Sequence, residues 1–163
     1  ELGLDAANRN GAGQVVAAGR RPALTALCDA PPAGSRVVPL PVAGAFHTRF
    51  MTPARDTLAV HADTVKVDEP YRTLLSNADG RPVTDGTEVL RRLVSQVTSP
   101  VRWDACMATM RELGVTTTIE FPPAGTLSGL ARRDLKGVTT VAVRTPADLD
   151  KAVAALAGAG AAA

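Results

Sequence analysis

Residues 114–143 decide the fold, and they read GVTTTIEFPPAGTLSGLARRDLKGVTTVAV. The β-branched runs predict strands over residues 116–121 and 139–143, because such side chains favour extended backbone. A short helix is predicted between them, over residues 126–133. Strands that alternate with helices in this way predict an α/β fold, in which helices pack on a parallel sheet.

The same alternation of strands and helices is predicted for most of the chain. Apolar runs predict further strands over residues 14–18, 36–42 and 71–76, although Pro39 and Pro41 limit the second of these to an edge or irregular strand. Apolar residues at helical spacing predict further helices over residues 22–28, 53–65, 87–97 and 146–156. Two of the predicted apolar helix faces carry Val89, Leu90, Leu93, Val94 and Val97, and Trp103, Cys106, Met107, Met110 and Leu113.

Three hydroxyl–proline pairs predict helix starts. They are Thr52-Pro53, Ser99-Pro100 and Thr145-Pro146. A hydroxyl at the N-cap accepts a main-chain N–H that the helix leaves free, and proline at the next position has no N–H to lose. We therefore expect each hydroxyl to cap the helix that follows it.

Composition excludes several classes of protein. The 163 residues suffice for about one domain, and with one Trp, one Tyr and three Phe the core must consist of Val, Leu and Ala. A net charge of +2 argues against a nucleic-acid-binding protein. No apolar stretch reaches the length of a membrane span, about 20 residues. Cys28 and Cys106 form no CxxC motif, so we expect no disulfide framework, no metal site and a reducing, cytoplasmic location. We also expect no cofactor.

His47 is the candidate general base. It follows the predicted strand over residues 36–42, and ligands of α/β proteins bind at the ends of strands. His61 falls inside a predicted helix, where a surface role is expected. The alternative to a catalytic role is a purely structural role for His47, because an imidazole acts as a base only beside a nucleophile or a substrate proton.

The sequence offers no activated nucleophile. None of its serines lies in a G-x-S-x-G elbow, and Ser128 could face either way. Cys28 and Cys106 have apolar neighbours on predicted helices, so we expect both thiols to be buried and inert. From the residues alone, the chain has half of a nucleophile–base pair.

Four segments resemble malonyl-CoA:acyl-carrier-protein transacylases. They are NRNGAGQVVAAG (residues 8–19), GAFHT (residues 44–48) with Met51 and Pro53-Ala54, LVSQVTSPVRW (residues 93–103) and EFPPAGTLSGL (residues 120–130). They come in the family's order. The residues of the last segment and the alanine-rich end are similar to those of actinobacterial enzymes of fatty-acid synthesis.

The resemblance implies a ping-pong acyl transfer. A serine takes malonyl from coenzyme A and passes it to the phosphopantetheine thiol of acyl carrier protein. His47 matches the general base. Gln96 matches the second catalytic position, where a main-chain carbonyl accepts the other imidazole N–H, so we expect its side chain to be dispensable. Phe46 matches the residue that narrows the acyl pocket and selects malonyl, and Asn8 and Asn10 match asparagines near the substrate cleft.

The resemblance also implies that parts are missing. The elbow serine, an arginine that binds the malonyl carboxylate and the N-terminal oxyanion loop belong upstream of Glu1, so the chain corresponds to the C-terminal half of the enzyme. Residues 1–43 would belong to a small ferredoxin-like subdomain, residues 44–156 to the C-terminal portion of a hydrolase-like, parallel-sheet α/β subdomain, and residues 157–163 to a flexible Ala/Gly tail. The expected partners are malonyl-CoA, acyl carrier protein and the protein's own N-terminal half, with no nucleic acid and no membrane.

Two alternatives stay open at this point. The chain could be a non-catalytic α/β protein-binding module with a structural His47, or an acyltransferase segment of a polyketide synthase. A G-H-S-x-G elbow encoded upstream of Glu1 would distinguish an enzyme from the binding module. A polyketide synthase shares the chemistry, and flanking sequence that continues into other domains would distinguish it.

Overall fold

The computed structural model describes residues 2–160, which form two compact units, one ending at Cys106 and one starting at Met107. The strands are β1 (Asp5–Arg9), β2 (Val15–Ala18), β3 (Leu74–Leu75), β4 (Pro82–Val83), β5 (Val101–Arg102), β6 (Thr117–Glu120) and β7 (Thr139–Ala142). The helices are α1 (Arg21–Asp29), α2 (Thr52–Ala62), α3 (Gly86–Gln96), α4 (Trp103–Glu112), α5 (Thr126–Asp134) and α6 (Leu149–Gly160).

The first unit is built around a three-stranded sheet in the order β2-β1-β5. β1 runs antiparallel to β2 and parallel to β5, with Asn8 beside Val101. The turn between β1 and β2 requires glycine, because Gly11 and Gly13 have φ angles of +84° and +77°. Sequence reasoning found β2 but missed β1 and β5, whose short polar segments lack a strand pattern.

A small hairpin completes the first unit. β3 and β4 pair antiparallel, so only two residues of the strand predicted over residues 71–76 are extended and paired. The strand predicted over residues 36–42 is wrong, since this segment has no regular structure. Pro39 and Pro41 lack the N–H groups that a strand donates to its neighbour, which explains the result.

The second unit contains the crossover that the opening stretch predicts. β6 and β7 pair in parallel register from Thr117 and Thr139 to Glu120 and Ala142, and α5 connects them. α6 follows and continues through Gly160, into the stretch that the sequence assigned to an Ala/Gly tail. Residues 161–163 of that stretch lie outside the described residues. The described strands thus form three small sheets of mixed direction rather than one parallel sheet.

The predicted helices are present, but the hydroxyl caps differ. Thr52 lies inside the first turn of α2, and its Oγ1 donates to the carbonyl of Arg49 at 2.7 Å. Ser99 caps no helix, because β5 intervenes before α4 begins. Thr145 does precede a 3-10 turn, Pro146–Asp148, and donates its main-chain N–H to the Asp148 carboxylate. Thr145 is the N-cap of this turn, in a capping box with Asp148, so of the three predicted caps this one is confirmed.

Small aliphatic residues fill the core, as the composition predicts. Buried positions include Ala7, Ala18, Val83, Val101, Leu130, Ala131, Leu135 and Val143, together with Cys106 and Met107 of α4. Two residues of the predicted apolar faces are exposed instead, Leu93 and Leu113. The described residues place nothing over these side chains. None of the described helices is long and apolar enough to cross a membrane.

Candidate active site

His47 lies in a tight turn between the irregular segment before Gly44 and the 3-10 turn Arg49–Met51 that leads into α2. The imidazole is half-buried. No strand directly precedes His47, so the prediction that it follows the end of a strand is wrong. The residue is positioned by a turn instead, and the contacts of that turn decide where the ring lies.

The ring of His47 contacts the main chain of Gln96. Nδ1 lies 2.7 Å from the Gln96 carbonyl oxygen. A carbonyl only accepts hydrogen bonds, so Nδ1 carries the proton and Nε2 keeps its lone pair. This is the contact that the resemblance implies, and it leaves Nε2 as the nitrogen that can accept a proton.

Gln96 is the last residue of α3 and is buried. Its carbonyl also accepts the N–H of Ser99 at 3.3 Å. Its side-chain Nε2 donates to the carbonyls of Ser99 and Pro100, at 2.6 and 3.1 Å. The amide therefore closes the turn over residues 97–100, which sequence reasoning did not foresee.

Thr48 is a second buried polar residue at this place. Its side chain is 2% exposed. Oγ1 donates to the carbonyl of Ala45 at 2.6 Å and accepts the N–H of Phe50 at 3.3 Å. The Met51 N–H donates to the Thr48 carbonyl. Sequence reasoning missed this residue, and the only available signal was a hydroxyl directly after the candidate base.

Phe46 flanks the imidazole on its other side. The two rings meet edge to face, with centroids 6.1 Å apart and an interplanar angle of 63°. The phenyl ring is 49% exposed. It therefore presents an apolar surface next to the candidate base, where a small acyl group could contact it.

Asn8 and Asn10 lie on the neighbouring sheet. Asn8 is on β1, next to Val101 of the strand that follows the Gln96 turn. Asn10 lies in the turn after β1, and its Nδ2 donates to Oε1 of Gln14 at 3.2 Å. An ion pair of 2.9 Å between Arg49 and Asp5 connects the His47 segment to the same strand.

The remaining candidates lie elsewhere. His61 is exposed on α2, as predicted. Cys106 is buried, and burial raises the pKa of its thiol, whereas Cys28 is exposed, so the prediction that it is buried was wrong. α1 is short, and its Cys28 face is left open by the described residues. Ser128 is 2% exposed, so its hydroxyl does not face solvent.

A separate polar cluster lies in the second unit, where β6 ends. The Glu120 carboxylate accepts the N–H groups of Gly125, Leu127 and Ser128 at 2.7–3.0 Å, at the start of α5. Burial raises the pKa of Glu120, but the hydrogen bonds from Ser128, Gly125 and Leu127 outweigh burial and lower that pKa to about 2. The carboxylate therefore occupies the positive end of the helix.

Comparison with known sequences identifies close relatives. No family model matches the chain. The chain is 58% identical over 151 residues to "Malonyl CoA-acyl carrier protein transacylase" of Mycobacterium tuberculosis, which covers 93% of this chain and 50% of the relative. Identity to the protein of the same name from Mycolicibacterium smegmatis is 52% over 153 residues, 91% of this chain and 53% of the relative. The chain spans about half the length of the curated relatives it matches.

Solved structures agree with the sequences. The crystal structure of MCAT from Mycobacterium tuberculosis superposes with a TM-score of 0.88 at 58% identity, over 92% of this chain and 50% of the other. A type II PKS acyl-carrier protein in complex with its malonyl-transacylase gives a TM-score of 0.84 at 32% identity, over 91% and 49%. Over the half that it matches, the chain belongs to the malonyl CoA-acyl carrier protein transacylase family.

Proposed function

We propose that this chain is the base-carrying half of a malonyl-CoA:acyl-carrier-protein transacylase, which transfers malonyl from coenzyme A to the phosphopantetheine thiol of acyl carrier protein. The observation that carries the proposal is the hydrogen bond from His47 Nδ1 to the Gln96 carbonyl, because it leaves Nε2 of the neutral ring to accept a proton. The family supports the substrates, since its members are named for malonyl CoA and acyl carrier protein.

The proposed reaction has two acyl-transfer steps. Nε2 of His47 accepts the proton of a serine hydroxyl as its oxygen attacks the malonyl thioester carbonyl. The carbon–sulfur bond breaks, and coenzyme A leaves with the proton returned by His47. In the second step His47 deprotonates the carrier thiol, the sulfur attacks the serine ester, and the serine recovers its proton.

The nucleophile belongs to the other half of the relatives in this proposal. The elbow serine, the arginine for the malonyl carboxylate and the oxyanion donors lie upstream of Glu1, so the chain is the C-terminal half. Residues 1–43 and 44–156 then form parts of the ferredoxin-like and hydrolase-like subdomains. A cytoplasmic location fits a fatty-acid-synthesis enzyme.

The carrier protein can differ while the chemistry stays the same. One structural neighbour is a malonyl-transacylase bound to a type II PKS acyl-carrier protein. This neighbour supports a polyketide carrier as the second candidate acceptor. Transfer assays with purified carriers of both kinds decide which is preferred.

The test uses the full-length gene product and malonyl-CoA. Mass spectrometry should show a malonyl ester on an upstream serine, and transfer to a carrier protein should follow. His47→Ala should lower the rate by about 10²–10⁴-fold, the usual contribution of a positioned base. His61→Ala, an exposed histidine of the same chain, is the matched control and should keep the full rate. A His47→Ala variant that transfers malonyl normally would refute the assignment.

A further inference from the structure

The turn that carries His47 is closed by a single hydroxyl. Thr48 Oγ1 uses its hydrogen for the Ala45 carbonyl at 2.6 Å, and its lone pair accepts the Phe50 N–H at 3.3 Å. One of these partners precedes His47 in the sequence and the other follows it. The hydroxyl therefore fixes both sides of the peptide units that hold the imidazole.

Burial indicates that the Thr48 hydroxyl contacts other protein groups and not a substrate. The Thr48 side chain is 2% exposed, and both of its hydrogen-bonding partners are main-chain groups. It does not reach the solvent-facing space beside Phe46, so contact with a substrate is not its role. Any influence of the hydroxyl on acyl transfer passes through His47.

The partner of His47 is held just as firmly. The Gln96 carbonyl lies at the end of α3, and the Gln96 side chain closes the turn that follows. With that side fixed, the 2.7 Å contact is kept only if the turn over residues 45–50 holds the ring in place. The Thr48 hydroxyl is the side-chain group that links the residues on the two sides of His47, through Ala45 and Phe50.

We propose that Thr48 is a positioning residue for acyl transfer, which holds the His47 ring at the Gln96 carbonyl through its hydrogen bonds to Ala45 and Phe50. The inference rests on the proposed function for its kinetic consequence. Small displacements of a reacting group cost rate steeply, by about 10²-fold for 1 Å. Loss of the hydroxyl should therefore lower kcat and leave KM for malonyl-CoA nearly unchanged.

Two pairs of variants of the full-length gene product isolate the hydroxyl. Thr48→Val replaces the hydroxyl by a methyl group at nearly constant volume, and Thr48→Ala differs from Thr48→Ser by the hydroxyl alone. We expect Thr48→Val and Thr48→Ala to lower kcat by about 10–100-fold, with Thr48→Ser recovering most of the loss. Thr57→Val is the matched control, because Thr57 makes the same kind of local bond to the Pro53 carbonyl on the exposed side of α2. It should not change kcat.

A spectroscopic measurement separates this proposal from the proposed function. Nitrogen-15 NMR of the imidazole, assigned with His47→Ala, should show a protected Nδ1–H in the wild type and in Thr48→Ser. The same N–H should exchange faster with solvent in Thr48→Val and Thr48→Ala. If the wild type transfers no malonyl, the proposed function is wrong, and the exchange measurement still tests Thr48.

Two outcomes would overturn the proposal. Thr48→Val or Thr48→Ala with wild-type kcat and an unchanged Nδ1–H signal would show that the hydroxyl is dispensable. A Thr48→Ser variant as slow as Thr48→Ala would show that the methyl group matters instead. If Thr48→Val does not fold, the Ser–Ala pair decides alone, since both variants lack the Thr48 methyl group and differ from each other only in the hydroxyl.

Discussion

At the scale of single residues, the site depends on one hydrogen bond, which holds the candidate base His47 at the Gln96 carbonyl. Histidine at position 47 is visible in the sequence, but its bond to Gln96 joins residues 49 positions apart. No local pattern predicts such a contact. Thr48 was missed because its hydroxyl contacts only main-chain groups, as the N-cap that accepts the Phe50 N–H and as a donor to the Ala45 carbonyl, and main-chain partners leave no signal in the sequence.

Phe46 is expected to select malonyl over methylmalonyl. Its ring stands edge to face with His47, so we expect an acyl group at the base to contact the ring and a branch on that group to collide with it. Phe46→Ser in the full-length protein should shift the ratio of the two kcat/KM values by about 1–3 kcal/mol, the usual range for one methyl group. Phe46→Leu keeps an apolar, bulky side chain and should shift the ratio less. An unchanged ratio in Phe46→Ser would mean that the ring does not line the acyl pocket.

Gln96 is expected to divide its roles between main chain and side chain. Gln96→Ala keeps the carbonyl that accepts from His47, so most of the activity should remain. It also leaves the Ser99 and Pro100 carbonyls without their donor, so the free energy of unfolding should fall by about 1–3 kcal/mol.

Denaturant titration and malonyl transfer measure the two effects of Gln96→Ala separately. Ser95→Ala removes a single local bond to the Arg92 carbonyl and is the control. Gln96→Pro, which distorts the end of α3, should lose activity. A large rate loss in Gln96→Ala at unchanged stability would show that the amide takes part in the chemistry.

At the scale of secondary structure, helices were predicted better than strands. α1, α2, α3 and α5 follow from apolar spacing, which the chain carries within each segment. β1 and β5 are stabilised by pairing with each other, so the sequence of either segment alone does not predict a strand. The segment over residues 36–42 shows the reverse, because apolar composition without free N–H groups does not form a strand.

Glu120 should make stability depend on pH at the acidic end. Its pKa is lowered from 4.5 to about 2 in the folded chain, so the folded state favours the charged form. This contribution is fully present above the unfolded pKa and is lost as pH falls from about 4.5 to about 2. The difference in unfolding free energy between the wild type and Glu120→Gln should shrink across that window.

Glu112→Gln is the control for this measurement, since Glu112 is exposed at the end of α4. Urea titrations at several pH values in the full-length protein provide the comparison. A constant difference between wild type and Glu120→Gln from pH 5 to pH 2 would contradict the role of the carboxylate at the start of α5.

At the scale of the whole molecule, the chain exposes apolar side chains that a self-contained enzyme would cover. Val38, Leu40 and Val42 are 57%, 55% and 71% exposed in the irregular segment before His47. Because the chain matches about half of each relative, we expect the other half of a full-length protein to cover this surface. The sequence did not locate this surface, because residues 36–42 were predicted to form an edge or irregular strand.

Residues 1–163 expressed alone should be inactive and prone to aggregate. No described serine lies in an elbow, and exposed apolar patches promote association. Malonyl-CoA should leave no stoichiometric ester on the isolated chain, as judged by mass spectrometry. Co-expression with the upstream half should increase the yield of dispersed protein. An ester on Ser128, or on any other residue of the chain, would overturn the half-enzyme proposal.

The choice of a peptide carbonyl as the partner of His47 has a consequence for mutational tolerance. Every amino acid carries that oxygen, so no codon change at position 96 deletes the acceptor, although changes there can weaken the turn that holds it. The imidazole of His47, in contrast, is a side chain that a single substitution removes. Under selection for activity, a saturation library should accept many residues at position 96, with graded losses of activity, and only histidine at position 47. Neutral substitutions should therefore accumulate at position 96 and not at position 47.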